Sequence, residues 1–345
     1  MRPGGKDWTA KVRDHGGSLE RARALFPAAP QPILDLSTGI NPHAYPFSLP
    51  AATAWTRLPE PGRLEALKQA AADAYRAPSP QNIVASPGTQ ILLPLVMGLV
   101  APGRARILGP TYAEHARVAA LVGHKVEEVS SVEQLYGSDL AVVVNPNNPD
   151  GRIVAKAELL LLADDLRGRG GLLVVDEAFM DVGPGLESLC GEVEAGGLVV
   201  LRSFGKFFGL AGVRLGFAVA SREIAARLES LLGPWAVSGP ALEIGIEALA
   251  DRAWQDETRL LLSAEASRLD GSIAQAGLPV PGGTSLYRYI ESEHAASLFA
   301  HCGRRGILLR AFEGRPRALR IGLPGAEAEW GRLEAALAEW KQRKT

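Results

Sequence analysis

The sequence predicts a three-layer α/β protein in which a mostly parallel sheet is covered by helices on both faces. Short apolar runs typical of buried strands alternate with stretches that repeat Leu and Ala at helical spacing. The chain has 345 residues, of which 47% are apolar, so it can bury a large core. After residue 235 the pattern changes to long helices followed by short strands, which predicts a smaller C-terminal α+β domain.

The individual elements follow from these patterns in chain order. Covering helices are predicted at residues 62–76 and 156–170. The strands of the large sheet are predicted at residues 105–109, 140–145, 171–178, 197–203 and 215–220. Long helices at about 240–275 precede short strands around 284–290, 306–312 and 318–323. The predicted organisation is an N-terminal segment (1–40), a large domain (41–235) and a small domain (236–345).

Composition and charge exclude several classes of protein. The formal net charge is -1, and the sequence contains no apolar run of membrane-spanning length and no apolar signal segment at its start, which predicts a cytoplasmic protein. Cys190 and Cys302 are far apart, and the six histidines lack metal-ligand spacing, so neither a disulfide nor a metal is expected. The balanced charge also argues against nucleic acid as a partner, although six arginines lie between residues 304 and 320.

Polar motifs follow the predicted strands, where the active sites of parallel sheets form. Gly88 and Thr89 open a predicted helix whose free backbone NH groups suit a phosphate, although a plain N-cap has the same pattern. The run at 142–151 ends in an Asn-Pro-rich turn, which by itself is an ordinary surface turn or a display of amide side chains. Asp176 directly follows an apolar run, where it is either a helix cap or a partly buried carboxylate that needs a cationic partner.

Lys206 lies in the stretch "SFGKFFGLAGVRLG" (203–216), three residues after Ser203 and eight before Arg214. Together with the preceding motifs, in this order, the stretch resembles fold-type I pyridoxal-phosphate (PLP) enzymes of the aminotransferase class I/II family. The resemblance implies that Lys206 bonds to the cofactor aldehyde and that Ser203, Arg214 and the Gly88-Thr89 turn hold its phosphate. Glycines there allow the backbone to approach the phosphate closely.

The same resemblance assigns further contacts with the cofactor ring. Asp176 matches the carboxylate that pairs with the pyridinium nitrogen, Asn148 matches the amide that hydrogen-bonds the ring hydroxyl, and Tyr112 matches the aromatic residue stacked on the ring. Without the resemblance, Tyr112 is an ordinary core residue. Phe179 and Leu58 depart from the family, since many relatives have tyrosines there that contact the cofactor.

Within the family, four stretches resemble threonine-phosphate decarboxylases of cobalamin biosynthesis. They are "HGG" (15–17), "LDLSTGINP" (34–42), "DEAFMD" (176–181) and "PWAVSGPALEIGIEALADRAW" (234–254). The resemblance implies that the substrate contacts His15, Gly16, Gly39, Asn148, Arg310 and Arg320, and the planar guanidinium groups of the two arginines suit a carboxylate or a phosphate. Another departure is Gly39, which stands where an asparagine often contacts the substrate.

The expected function is therefore PLP-dependent decarboxylation of L-threonine O-3-phosphate by a homodimer, with Lys206, Asp176 and Tyr112 as catalytic residues. Histidinol-phosphate or related amino-acid transamination is the alternative, because the cofactor activates every bond at Cα and only geometry selects which one breaks. A ligand-binding protein of the same fold without turnover is a third hypothesis, although Lys206 is intact and no DNA-binding domain is appended.

Overall fold

The computed structural model describes residues 8–9, 15–279 and 282–344. Residues 1–7 and 10–14 of the predicted N-terminal segment lie outside the described residues, as do 280, 281 and 345 of the predicted small domain. The strands are β1 (Leu34–Asp35), β2 (Ile83–Ser86), β3 (Arg104–Leu108), β4 (Lys125–Val129), β5 (Leu140–Val144), β6 (Leu172–Asp176), β7 (Leu198–Ser203), β8 (Gly216–Ala220), β9 (Gly282–Thr284), β10 (Tyr287–Glu291), β11 (Ile307–Leu308), β12 (Arg310–Phe312) and β13 (Arg315–Gly322).

The helices surround the sheets and occupy the connections between strands. They are α1 (Leu19–Leu25), α2 (Ala52–Thr56), α3 (Pro61–Tyr75), α4 (Thr89–Met97), α5 (Ala113–Leu121), α6 (Lys156–Gly168), α7 (Phe204–Phe207), α8 (Arg222–Leu232), α9 (Gly239–Ala250), α10 (Arg252–Gln275), α11 (Ala295–Arg304) and α12 (Glu327–Lys344). Both predicted covering helices are found, as α3 and α6. None of the helices in the described residues is long and apolar enough to cross a membrane.

The central sheet has seven strands in the order β2-β8-β7-β6-β5-β3-β4. The pairs from β7 to β4 are parallel, whereas β8 is antiparallel to both β7 and β2. The prediction of a mostly parallel sheet is confirmed, and the strand predicted at 215–220 is the one that runs in the opposite direction. Consequently β2, β3, β5, β6 and β7 all point their carboxyl ends toward the same edge of the sheet.

Alternating side chains of the central strands pack on opposite faces of this sheet. Val142 and Val174 belong to a buried cluster with residues of α4, α5 and α8, whereas Val143 and Val175 pack with residues of α3, α6 and α9. All four are fully buried, and burying a valine side chain contributes about 1.5–3 kcal/mol. The two-sided burial explains why these strands appear in the sequence as continuous apolar runs.

A second, antiparallel sheet lies in the C-terminal part of the chain, with the order β12-β13-β10-β9. In it, Arg310 of β12 lies directly opposite Arg320 of β13. The short strand β1 pairs in parallel with β11, so the N-terminal segment packs against the C-terminal part of the chain. The exact boundaries of the predicted domains stay a prediction.

Candidate active site

The predicted site residues line one cavity of about 340 Å³ at the carboxyl edge of the central sheet. The structure brings together His15, Gly16, Gly39, Gly88, Thr89, Tyr112, Asn148, Asp176, Ser203, Lys206, Arg214, Arg310 and Arg320. These residues come from both ends of the chain as well as from its middle. The cavity therefore forms only when the N-terminal segment and the C-terminal sheet pack on the large sheet.

Lys206 lies in α7, a single helical turn that directly follows β7. Its backbone carbonyl accepts a hydrogen bond from the Asn41 NH at 3.0 Å, and the Asn41 side chain donates to the Phe207 carbonyl at 2.8 Å. Phe204, Phe207 and Phe208 are buried, so they belong to the core beneath the lysine. The helical turn that carries Lys206 is therefore packed against buried aromatic side chains.

The amine of Lys206 has a strongly altered proton affinity. Its pKa is lowered to about 8, mainly by burial. The positive charge of Arg320 also lowers the pKa, and that of Arg214 makes a smaller contribution in the same direction. Asp176 acts in the opposite direction, because a nearby carboxylate favours the charged amine. At neutral to slightly alkaline pH a substantial fraction of this amine is therefore unprotonated and nucleophilic.

One end of the cavity has the donors that a phosphate requires. α4 begins at Thr89, and no side chain caps its N-terminus, so its first NH groups are directed toward this end. Ser203 and Arg214 line the same cavity. A Cβ added at Gly88 would lie 2.6 Å from Nη2 of Arg214, so a side chain at this position would displace the guanidinium from the turn. Gly88 also has φ +86, which disfavours other residues.

Asp176 ends β6 and lies on the face of the sheet that α5 covers. Its Oδ2 is 2.9 Å from Nε2 of His115, and its Oδ1 accepts from the Ala178 NH at 3.0 Å. Because the carboxylate can only accept, the Nε2 atom of His115 carries the shared proton. Tyr112, one turn earlier, stacks edge-on against His115 with ring centroids 5.7 Å apart. The α5 N-terminus thus fixes both the carboxylate and the ring that the sequence identifies as cofactor contacts.

Arg320 joins the two sheets at the opposite side of the cavity. Its Nη1 donates to the Asn148 Oδ1 at 2.6 Å, and its Nη2 donates to the Ser37 carbonyl at 2.8 Å. Burial lowers the pKa of Arg320 to about 10, and the neighbouring Arg310 contributes in the same direction. A pair of adjacent arginines, one of them buried, provides a site that an anion would stabilise.

The N-terminal segment reaches the cavity through His15 and Gly16. Nε2 of His15 lies 3.6 Å from Oε1 of Glu114, and this carboxylate also accepts from Gln90 at 3.1 Å. A Cβ at Gly16 would lie 2.5 Å from the Ser37 carbonyl oxygen, so the segment passes directly against the backbone of the following strand region. The structure places His15 and Gly16 at the cavity, as predicted. Their role in substrate binding stays a prediction.

The two departures at Gly39 and Phe179 are connected in space. A Cβ at Gly39 would lie 2.9 Å from Cε1 of Phe179 and 2.8 Å from Cδ1 of Tyr287. The rings of Phe179 and Tyr287 pack edge to face with centroids 5.1 Å apart. Aromatic side chains thus occupy the space where an asparagine at position 39 would begin, which explains how the cavity wall stays packed without that residue.

Sequence reasoning missed His115, Gln90, Glu114 and Asn41. His115 follows Tyr112 by three residues, so both lie on the same face of α5, and this spacing was a usable signal. Gln90 accepts a hydrogen bond from the Tyr112 hydroxyl at 3.2 Å and donates to Glu114. Asn41 lies far from Lys206 in the sequence, so no local pattern indicates that contact.

The comparison with known proteins identifies the family. The model of the aminotransferase class I and II family matches residues 33–336, and the chain belongs to this family. A threonine-phosphate decarboxylase from Pseudomonas aeruginosa is 44% identical over 95% of this chain and 98% of its own. A protein of the same name from a Sinorhizobium species is also 44% identical, over 94% of this chain and 97% of its own.

Solved structures of lower identity share the fold. The histidinol-phosphate aminotransferase of Sinorhizobium meliloti, in complex with pyridoxal-5'-phosphate, has a TM-score of 0.77 at 22% identity and covers 96% of each chain. The L-threonine-O-3-phosphate decarboxylase of Porphyromonas gingivalis has a TM-score of 0.72 at 20% identity, over 90% of this chain and 100% of its own. The predicted fold type I is confirmed.

The cavity fits the family's cofactor, and the prediction of pyridoxal phosphate is confirmed by family membership. The helix N-terminus, two hydroxyl side chains and Arg214 are donors that suit a phosphate, and they surround space that a Cβ at Gly88 would partly fill. Asp176 offers a carboxylate to a ring nitrogen, and Lys206 offers an amine to an aldehyde. Groups of His, Cys, Asp or Glu that could hold a metal are not found among the described residues.

Proposed function

We propose that this chain is a PLP-dependent decarboxylase that converts L-threonine O-3-phosphate to (R)-1-amino-2-propanol phosphate and carbon dioxide in cobalamin biosynthesis. The observation that carries the proposal is the 44% identity to two threonine-phosphate decarboxylases over at least 94% of this chain. Histidinol-phosphate aminotransferases are only 28–29% identical, over 77–87% of this chain. Transamination is therefore the weaker candidate.

Pyridoxal phosphate supplies an electron-withdrawing ring that weakens the bonds at the substrate Cα. The residues of this chain that would hold it are Lys206 through its amine, Asp176 at the ring nitrogen, and Ser203 with Arg214 at the phosphate. His115 donates to Asp176, which orients the carboxylate toward the cavity. The amine of Lys206, with a pKa of about 8, takes up and releases a proton near neutral pH.

The substrate carries a carboxylate and a phosphate, and the cavity offers cations for both. Arg310 and Arg320 line its C-terminal wall, and His15 lines its N-terminal side. If the substrate phosphate binds at this wall, these cations would orient the substrate and leave its carboxylate free to depart as carbon dioxide. Phe179 lies beside Lys206, with the lysine Nζ 5.8 Å from its ring centroid.

The homodimer and the cytoplasmic location that the sequence predicts belong to this proposal. The support for a dimer is an apolar surface at residues 49–58, where Leu49, Trp55 and Leu58 are 83%, 62% and 64% exposed. Large apolar side chains that are exposed close together are often part of interaction surfaces. The surface includes Leu58, the position at which many relatives have a tyrosine that contacts the cofactor.

The test is incubation of the PLP-loaded protein with L-threonine O-3-phosphate and measurement of released carbon dioxide. We expect turnover of the phosphorylated substrate and poor turnover of threonine. A second reaction with histidinol phosphate and 2-oxoglutarate tests the alternative. If the protein exchanges amino groups in that reaction and releases no carbon dioxide from threonine phosphate, the decarboxylase proposal is wrong.

Substitution of the two wall arginines tests the substrate's charge. Charge-assisted hydrogen bonds are worth roughly 1.5–3 kcal/mol each, so Arg310→Ala and Arg320→Ala should each weaken use of threonine phosphate by about ten- to a hundredfold. Both variants should still bind the cofactor and show its visible absorbance band. The control is Arg317→Ala. Arg317 is an exposed arginine of β13, the strand of Arg320, and it forms an ion pair with Glu293. Equal activity in the wall variants and the control would contradict the assignment.

A further inference from the structure

A buried ionic network lies beneath the active site, on the opposite face of the central sheet. Nη1 of Arg202 donates to Oε2 of Glu177 at 2.9 Å, and its Nη2 donates to Oδ1 of Asp181 at 2.5 Å. The side chains of the three residues are 5%, 0% and 6% exposed. Glu177 also accepts from the Ser188 hydroxyl and the Leu189 NH, each at 2.7 Å. None of these residues lines the cavity.

The position of the network along the strands relates it to the cofactor contacts. Glu177 directly follows Asp176 at the end of β6, and Arg202 directly precedes Ser203 at the end of β7. Because side chains alternate along a strand, Asp176 and Ser203 share the cavity face, whereas Glu177 and Arg202 share the other face. The ion pair therefore connects the two strand ends from which the ring and phosphate contacts project.

The network also reaches the helices on both sides. Asp181 lies in the turn after β6, and its carbonyl accepts from Nε of Arg259 in α10 at 2.8 Å. The Arg202 guanidinium lies 4.4 Å from the ring centroid of Tyr75 in α3. Burial alone would lower the pKa of Arg202, but the carboxylates of Asp181 and Glu177 hold it above its usual value. The arginine is therefore charged throughout the physiological range.

Buried ion pairs are often dispensable for stability, since well-packed apolar residues can replace them at little cost. What apolar residues cannot supply is a directional contact that fixes the ends of two strands relative to each other. The phosphate of pyridoxal phosphate is joined to its ring by a short CH2–O arm, so the separation between the ring nitrogen and the phosphate varies over only a narrow range. A site that binds both ends needs Asp176 and the Ser203–Lys206 turn held at the matching separation.

We propose that Arg202, with Glu177 and Asp181, is a positioning residue that sets the relative placement of Asp176 and the Ser203–Lys206 turn for the cofactor. The inference rests on the cofactor of the proposed function and not on the choice between decarboxylation and transamination. It assigns the network no contact with the substrate. Its effect should therefore appear in cofactor binding before any substrate is added.

The experiment compares cofactor affinity and stability in Arg202→Lys and in the wild type. A lysine keeps the buried positive charge, but its single ammonium group cannot bridge two carboxylates in the planar geometry of a guanidinium. We expect the Kd for pyridoxal phosphate, measured by absorbance titration of the apo-protein, to rise about tenfold. Replacing residues that support the direct contacts of a bound group typically weakens binding by at least this factor. We also expect the pH midpoint of the visible absorbance band to shift.

The control is Lys68→Met, at an ion pair in which the lysine is buried and its partner Glu229 is partly exposed. Lys68 of α3 is 5% exposed and donates to Glu229 of α8 at 2.7 Å, outside the cavity lining. This variant should lose stability without a change in cofactor Kd or in the pH midpoint. If Arg202→Lys behaves in the same way, with lower stability and a Kd within about twofold of the wild type, the network is structural and the proposal is overturned.

A second variant covers the case in which Arg202→Lys does not fold. Asp181→Asn keeps the shape of the side chain and leaves the Arg202–Glu177 pair in place, and we expect a smaller rise in Kd of about threefold, within the range of a single neutral-for-charged exchange. An unchanged Kd and pH midpoint in a folded Asp181→Asn protein would also overturn the proposal. The same titration measures the Kd of the wild type. A wild type that did not bind pyridoxal phosphate would contradict the cofactor assignment, and this result differs from a Kd that is unchanged in the variants.

Discussion

At the residue scale, Lys206 shows how the fold changes the chemistry of one side chain. The amine lies at the end of a buried strand, above a core of phenylalanine rings, and near Arg320. Burial and the neighbouring cation both disfavour its charged form, which lowers the pKa from 10.5 to about 8. A solvated lysine at neutral pH would be almost entirely protonated and a poor nucleophile.

This lowered pKa predicts the pH dependence of cofactor capture. Below pH 8 the unprotonated fraction of Lys206 should rise about tenfold per pH unit, and above pH 8 it should level off. The rate at which the apo-protein acquires the visible absorbance of the bound cofactor should follow the same curve. Arg320→Gln should move the midpoint upward, because it removes one cause of the lowered pKa. A wild-type midpoint near that of a free lysine would contradict the assignment.

Gly39 provides a steric prediction at the same scale. In Gly39→Ala the new Cβ would approach Phe179 and Tyr287 to 2.9 and 2.8 Å, so we expect a loss of about 1–3 kcal/mol in the free energy of unfolding. Urea denaturation measures this loss. In the background of Phe179→Leu the penalty should become smaller, because one of the two rings is gone. The control is Gly62→Ala, where no atom lies within 4 Å of the added Cβ and no loss of this origin is expected.

At the element scale, the strands buried on both faces were predictable and the edge strands were not. β5, β6 and β7 appear as continuous apolar runs because neighbours cover both faces. β4 is an edge strand with the sequence "KVEEV" and mostly exposed side chains, so no apolar run marks it. β2 has only four residues, and the sequence offered no alternation there.

The active site was predictable where family motifs specify its residues. Lys206, Asp176 and the Gly88-Thr89 turn follow strand ends, so the topology of a parallel sheet brings them together. Contacts between distant segments were not predictable. Asn41 reaches Phe207 across 166 positions, and Arg202 is one arginine among many until the structure places it against Glu177 and Asp181.

The junction of β6 with α5 supports a prediction about Asp176. Asp176→Asn keeps the shape of the side chain and can still contact His115, so the cofactor should stay bound. Turnover should fall by several orders of magnitude, because an amide cannot stabilise positive charge on the ring nitrogen as a carboxylate does. Absorbance measures binding, and single-turnover kinetics measure the chemical step. Near-normal turnover in this variant would refute the role of Asp176.

At the scale of the whole molecule, the cavity depends on segments that are distant in the sequence. β1 pairs with β11, and the Ser37 carbonyl that follows β1 accepts from Arg320. His43 then contacts Glu265 of α10, with Nε2 and Oε1 2.8 Å apart. The segment around β1 thus packs on the C-terminal part of the chain, and its Asn41 NH donates to the Lys206 carbonyl at the carboxyl edge of the large sheet.

The exposed apolar surface at residues 49–58 leads to a prediction about assembly. A specific dimer buries roughly 800 Å² per partner, and charged side chains in the centre of such an interface are strongly unfavourable. We therefore expect the wild type to sediment as a dimer and the double variant Trp55→Glu, Leu58→Glu to sediment as a monomer with reduced activity. The control is Leu260→Glu, which adds a charge at a leucine of α10 that is 74% exposed. It should leave the dimer intact. A fully active wild-type monomer would remove both the dimer and any contribution of a second subunit to the active site.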